Sequence, residues 1–246
     1  QKLKDTIRSL AAKYPYYGVR RIWALLRKNS DYSRINHKKV QRLMHEMNIQ
    51  GAGYCKKRAK YNSYPGPDGQ TTRNRFHRRF QTDRPLQKLS SDITEFKVPT
   101  TGEKLYLEPI LDLYNKEIVT YALSTKPSLA FAIEPVKELI EQLPKRGYQT
   151  YLHTDQGWQY RHHSWRKILR QNGIKPSMSR KATALDNAPM ESFFNKLKTE
   201  LGELSQFNGI PELKTAIENW IHYYNTERIQ IKLKGQSPIE YRQLAS

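Results

Sequence analysis

Residues 153–200 read HTDQGWQYRHHSWRKILRQNGIKPSMSRKATALDNAPMESFFNKLKTE, and two carboxylates in this stretch, Asp155 and Glu191, stand 36 positions apart. Asp155 ends residues 150–153, which read as a strand. A helix over 163–171 is stopped by Asn172-Gly173, a strand follows over 174–178, and Pro189 is placed as the first residue of a helix running to 204. An earlier acid, Asp92 in KLSSDITEF, lies 63 positions before Asp155. Acids this far apart meet only if a mixed sheet brings two strand ends and a helix start together. An acidic cluster of that kind suits Mg²⁺ or Mn²⁺, and two such cations about 3.5–4 Å apart are a device for in-line attack at phosphorus.

Working outward, residues 88–98, 104–113 and 117–124 read as three antiparallel strands, joined by turns at Thr101-Gly102 and Tyr114-Asn115-Lys116. Ser128 is placed to cap a helix to residue 143, in which Pro135 predicts a kink or a late start. Pro211 opens a helix to 226, and Ser237-Pro238-Ile239-Glu240 is a capping box that begins a terminal one. Three antiparallel strands followed by alternating helix and strand give an α/β fold.

Each acid has a plainer reading beside the functional one. A lone strand aspartate such as Asp92 is ordinarily an edge or turn residue, and Asp155 could close its strand by an Asx turn, with Gly157 permitting close backbone approach. Glu191 sits in the first turn after Pro189, where the helix dipole favours a glutamate in any case. Against that, Glu191, Asn195 and Lys198 share helical spacing, while Phe194, Leu197 and Leu201 form a separate apolar stripe. Lys198 stands about 10 Å along the axis from Glu191, a fitting distance for a neighbouring phosphate; otherwise it is a solvated lysine. His153 shares the face of Asp155 but has no partner at zinc spacing and reads as a core or supporting histidine. Glu95 falls on the opposite face from Asp92, and Asp112 and Glu200 read as structural.

Lysine and arginine number 43 against 23 acids in 246 residues, a net charge of +20. Such an excess implies a polyanionic partner, most economically DNA. No apolar run approaches a membrane span, so the expectation is a soluble protein, cytoplasmic and nucleoid-associated. The single cysteine, Cys55, excludes internal disulfides and a two-histidine, two-cysteine zinc module. With Gln1 in first place, a segment upstream is expected.

The first 50 residues predict three helices, over 3–14, 18–28 and from the Asn36 cap onward. In the third, Val40, Leu43, Met44 and Met47 recur at helical spacing, and the opposite face carries His37, Lys38, Gln41, Arg42 and His45. That face suits DNA, together with Arg20 and Arg21 on the second helix. An ordinary solvated helix face is the alternative. Residues 51–86 read as a basic linker rich in glycine and proline, with Lys56, Lys57 and Arg58 as candidate DNA contacts and no aliphatic core of its own. Arg180 and Lys181, between the second and third acids, are further candidates.

Taken together and in order, DITEF, HTDQG, LDNAPMESFF and YYNTER resemble the transposase encoded by the second reading frame (OrfB) of a frameshifting bacterial insertion-sequence family, with a catalytic core like that of retroviral integrases. The resemblance spans residues 14–241. It implies a ribonuclease H-like core, a five-stranded mixed sheet with helices over residues 87–205, preceded by a small helix-turn-helix region over 1–50 and followed by a helical extension over 206–246. It implies Asp92, Asp155 and Glu191 as catalytic metal ligands, Lys198 as a basic DNA neighbour, and double-stranded DNA, both element ends and target, as partner. It also implies a homo-oligomer, at least a dimer on DNA. Asp186-Asn187 matches the family's word before the catalytic helix, and Tyr224, Asn225 and Arg228 match a distal word that packs near that helix or touches DNA. Leu89, the 182–184 loop and Gln230 depart from the pattern without removing a carboxylate. A catalytically silent DNA-binding protein or repressor of transposon origin is the alternative.

Overall fold

The computed structural model describes residues 1–52, 70–144, 147–180 and 183–244. The chain forms two compact units, one from residues 1–58 and 226–246, the other from 59–225. The first unit opens with three helices, α1 (Lys2–Lys13), α2 (Val19–Arg27) and α3 (His37–Glu46). Asn36 caps α3 as its sequence implies, its Oδ1 accepting from Lys38 N at 2.9 Å. Ile7, Tyr17, Ile22, Leu26, Val40, Leu43 and Met44 are buried together between the helices.

The second unit is built on one mixed sheet: β1 (Lys88–Ser91), β2 (Thr94–Lys97), β3 (Lys104–Asp112), β4 (Ile118–Ser124), β5 (Thr150–Thr154) and β6 (Ile174–Met178). β1 and β2 pair antiparallel with β3 in a single register, Ser91 opposite Ile110 and Thr94 opposite Leu107. They are one strand interrupted at Asp92-Ile93, where residues 88–98 predicted continuous pairing. The position facing Asp92 in this register is Pro109, which has no N–H to give the ladder. β4 lines the other side of β3, β5 runs parallel to β1, and β6 parallel to β5. With β1 and β2 counted as one strand, this is the five-stranded mixed sheet of the ribonuclease H-like fold.

Helices cover both faces. α4 (Leu129–Gln142), capped by Ser128, runs unbroken through Pro135 where a kink or late start was expected. With α5 (Trp158–Arg161) and α6 (His163–Gln171) it supplies Phe131, Ala132, Leu139, Tyr160, Trp165 and Leu169 to one core, against Leu89, Ile93 and Leu152 of the sheet. α7 (Ala188–Glu200) and α8 (Ile210–Thr226) supply Met190, Phe193, Leu197, Trp220 and Tyr224 to the other, against Phe96, Val98, Leu105 and Leu107. Asp112 and Glu200 are structural as read: Asp112 accepts from Leu86 N and Tyr114 N, and Glu200 accepts from Trp220 Nε1 at 3.1 Å.

Two boundaries differ from the sequence reading. The described residues 70–86 are not a free tether: Phe76 is buried in the core beneath α7, and Arg75 N donates to Ser177 Oγ at 2.9 Å. At the other end, residues after 226 leave the second unit. Ile229 is buried with the first helices and its N–H donates to Tyr17 Oη at 3.0 Å, while Ser237 and Glu240 form the expected reciprocal cap of α9 (Pro238–Leu244). Lys28, the C-cap of α2, closes an ion pair with that same Glu240 at 2.8 Å.

Candidate active site

Asp92 follows β1 directly and Asp155 follows β5 directly. These strands are parallel neighbours, with Lys88 opposite Tyr151, Leu89 opposite Leu152 and Ser90 opposite His153. The pairing offset is the same 63 positions that separate the two aspartates, so both acids leave the carboxyl ends of adjacent strands at one level, about 4.8 Å apart in backbone spacing. Carboxyl ends of parallel strands are where α/β sheets form ligand crevices. Each carboxylate is only half-buried and ties its own turn. Asp155 Oδ1 accepts from Gly157 N at 2.7 Å, and a Cβ on Gly157 would stand 2.9 Å from that oxygen, so the residue must be glycine or the turn must open. Asp92 Oδ1 accepts from Ile93 N at 2.9 Å.

Strand alternation puts Ser90 and Asp92, with His153 and Asp155, on the sheet face that α7 covers. α7 starts there because Asn187, just ahead of it, reaches into β1: its Oδ1 accepts from Ser90 Oγ at 2.7 Å and its Nδ2 donates to Ser91 O at 3.3 Å. Glu191 lies one turn further on, half-buried. Among the described residues no three His, Cys, Asp or Glu side chains are grouped closely enough to hold a metal ion. The aspartates are thus aligned by the sheet, and Glu191 is on the helix over the same face without closing a three-acid cage. Lys198 Nζ donates to Glu95 O at 3.2 Å and lies 5.2 Å from the centre of the Phe96 ring.

The loop before α7 is held by Asp186, whose side chain has no exposed surface. Its carboxylate accepts from Asn74 Nδ2, Arg78 Nε, and the backbone N, Nε and a terminal nitrogen of Arg180, at 2.8–3.1 Å. The Arg180 guanidinium beside it holds the carboxyl far below the usual aspartate range. His153 lies beneath, buried between Ser177 Oγ and Ser179 Oγ and stacked on Phe76 at 4.7 Å; burial lowers its pKa to about 4, so it is neutral and structural. Tyr224 packs edge-on to Phe193 of α7, and Asn225 bonds both backbone groups of Ile118. In these contacts both serve packing. Arg228 is buried in the other unit.

One residue went unread in the sequence. Glu108 interrupts the apolar run of β3 and is about 1% exposed. Burial, then the charges of Asp92 and Asp155, push its carboxyl well above the usual range. The Tyr160 and Ser91 hydroxyls adjoin it and temper the shift; among the described residues Glu108 Oε2, Tyr160 Oη and Ser91 Oγ have no partner in good hydrogen-bond geometry. An acid inside the apolar run LYLEPIL, residues 105–111, was the available signal.

In the first unit, Lys38, Gln41, Arg42 and His45 are exposed along α3 and, with Gln50, line a groove. Arg20 is exposed, whereas Arg21 lies over the Tyr17 ring at 5.1 Å. Lys56, Lys57, Arg58 and Lys181 lie outside the described residues. No described helix is long and apolar enough to cross a membrane.

Residues 82–184 match a family model described as an integrase core domain, residues 191–245 a second model of that description, and residues 1–59 an HTH-like domain. The chain is 44% identical over 226 residues to InsK of insertion sequence element IS150 from Escherichia coli, spanning 92% of this chain and 77% of that protein. It is 46% identical over 209 residues to a transposase-like protein of Haemophilus influenzae, covering 85% and 94%. Among solved structures, the HTLV-2 integrase catalytic core domain in complex with magnesium superposes with a TM-score of 0.51 at 18% identity, over 64% of this chain and 96% of that one. A simian T-cell lymphotropic virus intasome chain superposes at 0.52 and 16% identity, over 91% and 70%. At those identities the structural likeness speaks for the fold, and the sequence relatives carry the rest: the chain belongs to the OrfB-type insertion-sequence transposases with an integrase core.

Proposed function

We propose that this chain cuts DNA at the ends of its insertion sequence and joins the freed 3′-hydroxyl to a second phosphodiester, with Asp92, Asp155 and Glu191 as the catalytic acids. The observation that carries the reading is the shared 63-residue offset of strand pairing and acid spacing, which puts two hard oxygen donors side by side at the sheet's carboxyl edge. Paired carboxylates on a half-exposed strand edge fit a divalent cation, Mg²⁺ or Mn²⁺. Asp92 and Asp155 would hold it, with Glu191 drawn in from α7. The bound ion would lower the pKa of an attacking water and offset charge at the phosphate. The chain's own part is to fix the two aspartates by the sheet and their turns, and to present Glu191 from a helix start anchored through Asn187.

DNA would be gripped by both units. α3 offers Lys38 and Arg42 to the duplex and Arg20 adds a further charge; Lys56, Lys57, Arg58, Arg180, Lys181 and Lys198 are further proposed contacts. A dimer or larger assembly on DNA, at the nucleoid in the cytoplasm, accords with this reading. The test is to incubate the full chain with a labelled element end and Mg²⁺. A nick followed by a joined product is expected; binding without either would leave a DNA-binding protein only.

A further inference from the structure

Ser91 immediately precedes Asp92, and Tyr160 stands on α5, the short helix that begins three residues after Asp155. Glu108 comes from a third segment, β3, next to the Pro109 that faces the strand break. All three side chains are about 1% exposed, and among the described residues all three present a polar atom with no partner in good hydrogen-bond geometry. Orphaned buried polar groups are rare, and three converging at one point are costly: replacing such groups by apolar ones of similar shape is neutral or stabilising. A sequence keeps a costly cluster where it serves something other than the fold. The cluster's position suggests what. Strand alternation puts Ser91 and Glu108 on the sheet face opposite Asp92, so they adjoin the catalytic edge from behind, and the two hydroxyls belong to the two segments that carry the aspartates.

We propose that Glu108 is a positioning residue for the reaction: with Ser91 and Tyr160 it forms a buried polar bracket behind the sheet edge that sets the separation of Asp92 and Asp155 when the pair takes up a divalent cation. The inference rests on the proposed metal role of those two aspartates. Outer groups that orient metal-binding side chains typically cost 10–100-fold in metal affinity when removed. Glu108→Leu removes the carboxyl at similar volume, and Glu108→Gln keeps its shape with one donor-bearing group and one acceptor.

The experiment measures three things on the full chain: melting temperature without metal, Mg²⁺ and Mn²⁺ affinity by calorimetry and by metal-dependent melting, and nicking of an element end as Mg²⁺ is titrated. Glu108→Leu should melt at or above the wild-type temperature, bind Mg²⁺ at least tenfold more weakly and need correspondingly more Mg²⁺ to nick. Glu108→Gln should restore metal affinity to within about threefold. Tyr160→Phe should shift affinity in the same direction as Glu108→Leu, more weakly. A merely structural role predicts instead that melting temperature and activity fall together, with no change in metal affinity in the protein that remains folded; that outcome, or wild-type metal affinity in Glu108→Leu, overturns the proposal. Asp92→Asn serves as the control. If it still nicks, the catalytic reading itself fails, whereas loss of nicking in Asp92→Asn with unchanged metal affinity in Glu108→Leu defeats the bracket alone.

Discussion

Replacing Asn187 by leucine, which has the same branched arrangement of heavy atoms, should separate the stability of the catalytic unit from its activity. Asn187 is almost fully buried and makes two neutral hydrogen bonds, to Ser90 Oγ at 2.7 Å and Ser91 O at 3.3 Å. A typical buried hydrogen bond contributes about 1 kcal/mol net, and stranding a partner costs about 1–3 kcal/mol. Ser90 is not stranded, because its hydroxyl also reaches His153 O at 3.3 Å. Only the Ser91 carbonyl, with the longer bond, is left without this partner, so the lower end applies: roughly 1–2 kcal/mol, or a melting temperature lower by about 2–8 °C. The effect on reaction should be far larger. Glu191 is one helical turn from the lost tie, and a displacement of about 1 Å at a reacting centre costs on the order of a hundredfold. Nicking of an element end, measured at 25 °C where the variant remains folded, should therefore fall about a hundredfold with end binding unchanged. Activity within twofold of wild type would refute the claim that Asn187 positions the helix carrying Glu191.

Three other outcomes are expected. Phe76→Ala should destabilise the catalytic unit by about 3–5 kcal/mol in denaturant titrations, as a core residue does; a change under 1 kcal/mol would return residues 70–86 to the status of a tether. Burial raises the Asp112 carboxyl from 3.8 to about 6, so its contribution to stability is fully present below pH 4 and is lost as pH rises through 6. Asp112→Asn should accordingly gain on wild type by about 2–3 kcal/mol between pH 4 and 7, His153, which titrates with the opposite sign in this window, being common to both; a pH-independent difference would contradict this. DNA binding should weaken steeply with salt, with a slope of log K against log salt near −5 if about six phosphates are neutralised, and a slope near zero would contradict a phosphate-binding surface.

What the sequence disclosed was mostly local. The Asn36 and Ser128 caps and the Ser237–Glu240 box depend on residues within a turn of one another, and each forms as its spacing implies. The acids were legible from their neighbouring words and their separation. The break at Asp92 was not, because its cause, Pro109, lies on another strand and faces Asp92 only once the register is known. Residues 70–86 looked like linker because they lack aliphatic side chains, yet one aromatic, Phe76, and a polar anchor, Asn74, suffice to hold them. Nothing in the pattern around Ile229 says which apolar surface it joins, so its burial with α1–α3 could not be foreseen. Glu108 was hidden for the same reason: its neighbours Ser91 and Tyr160 are 17 and 52 positions away.

Glu191→Gln puts the central claim to the most direct test. The substitution keeps volume and helix propensity and leaves the basic surfaces untouched, while removing one negative charge from the proposed cation site. Metal activation contributes several kcal/mol to phosphodiester chemistry and each 1.36 kcal/mol is tenfold in rate. With an element end and saturating Mg²⁺, nicking and joining should fall by roughly a thousandfold or more, with end binding unchanged or slightly tighter. Nicking near the wild-type rate would contradict the assignment of Glu191 as the third catalytic acid.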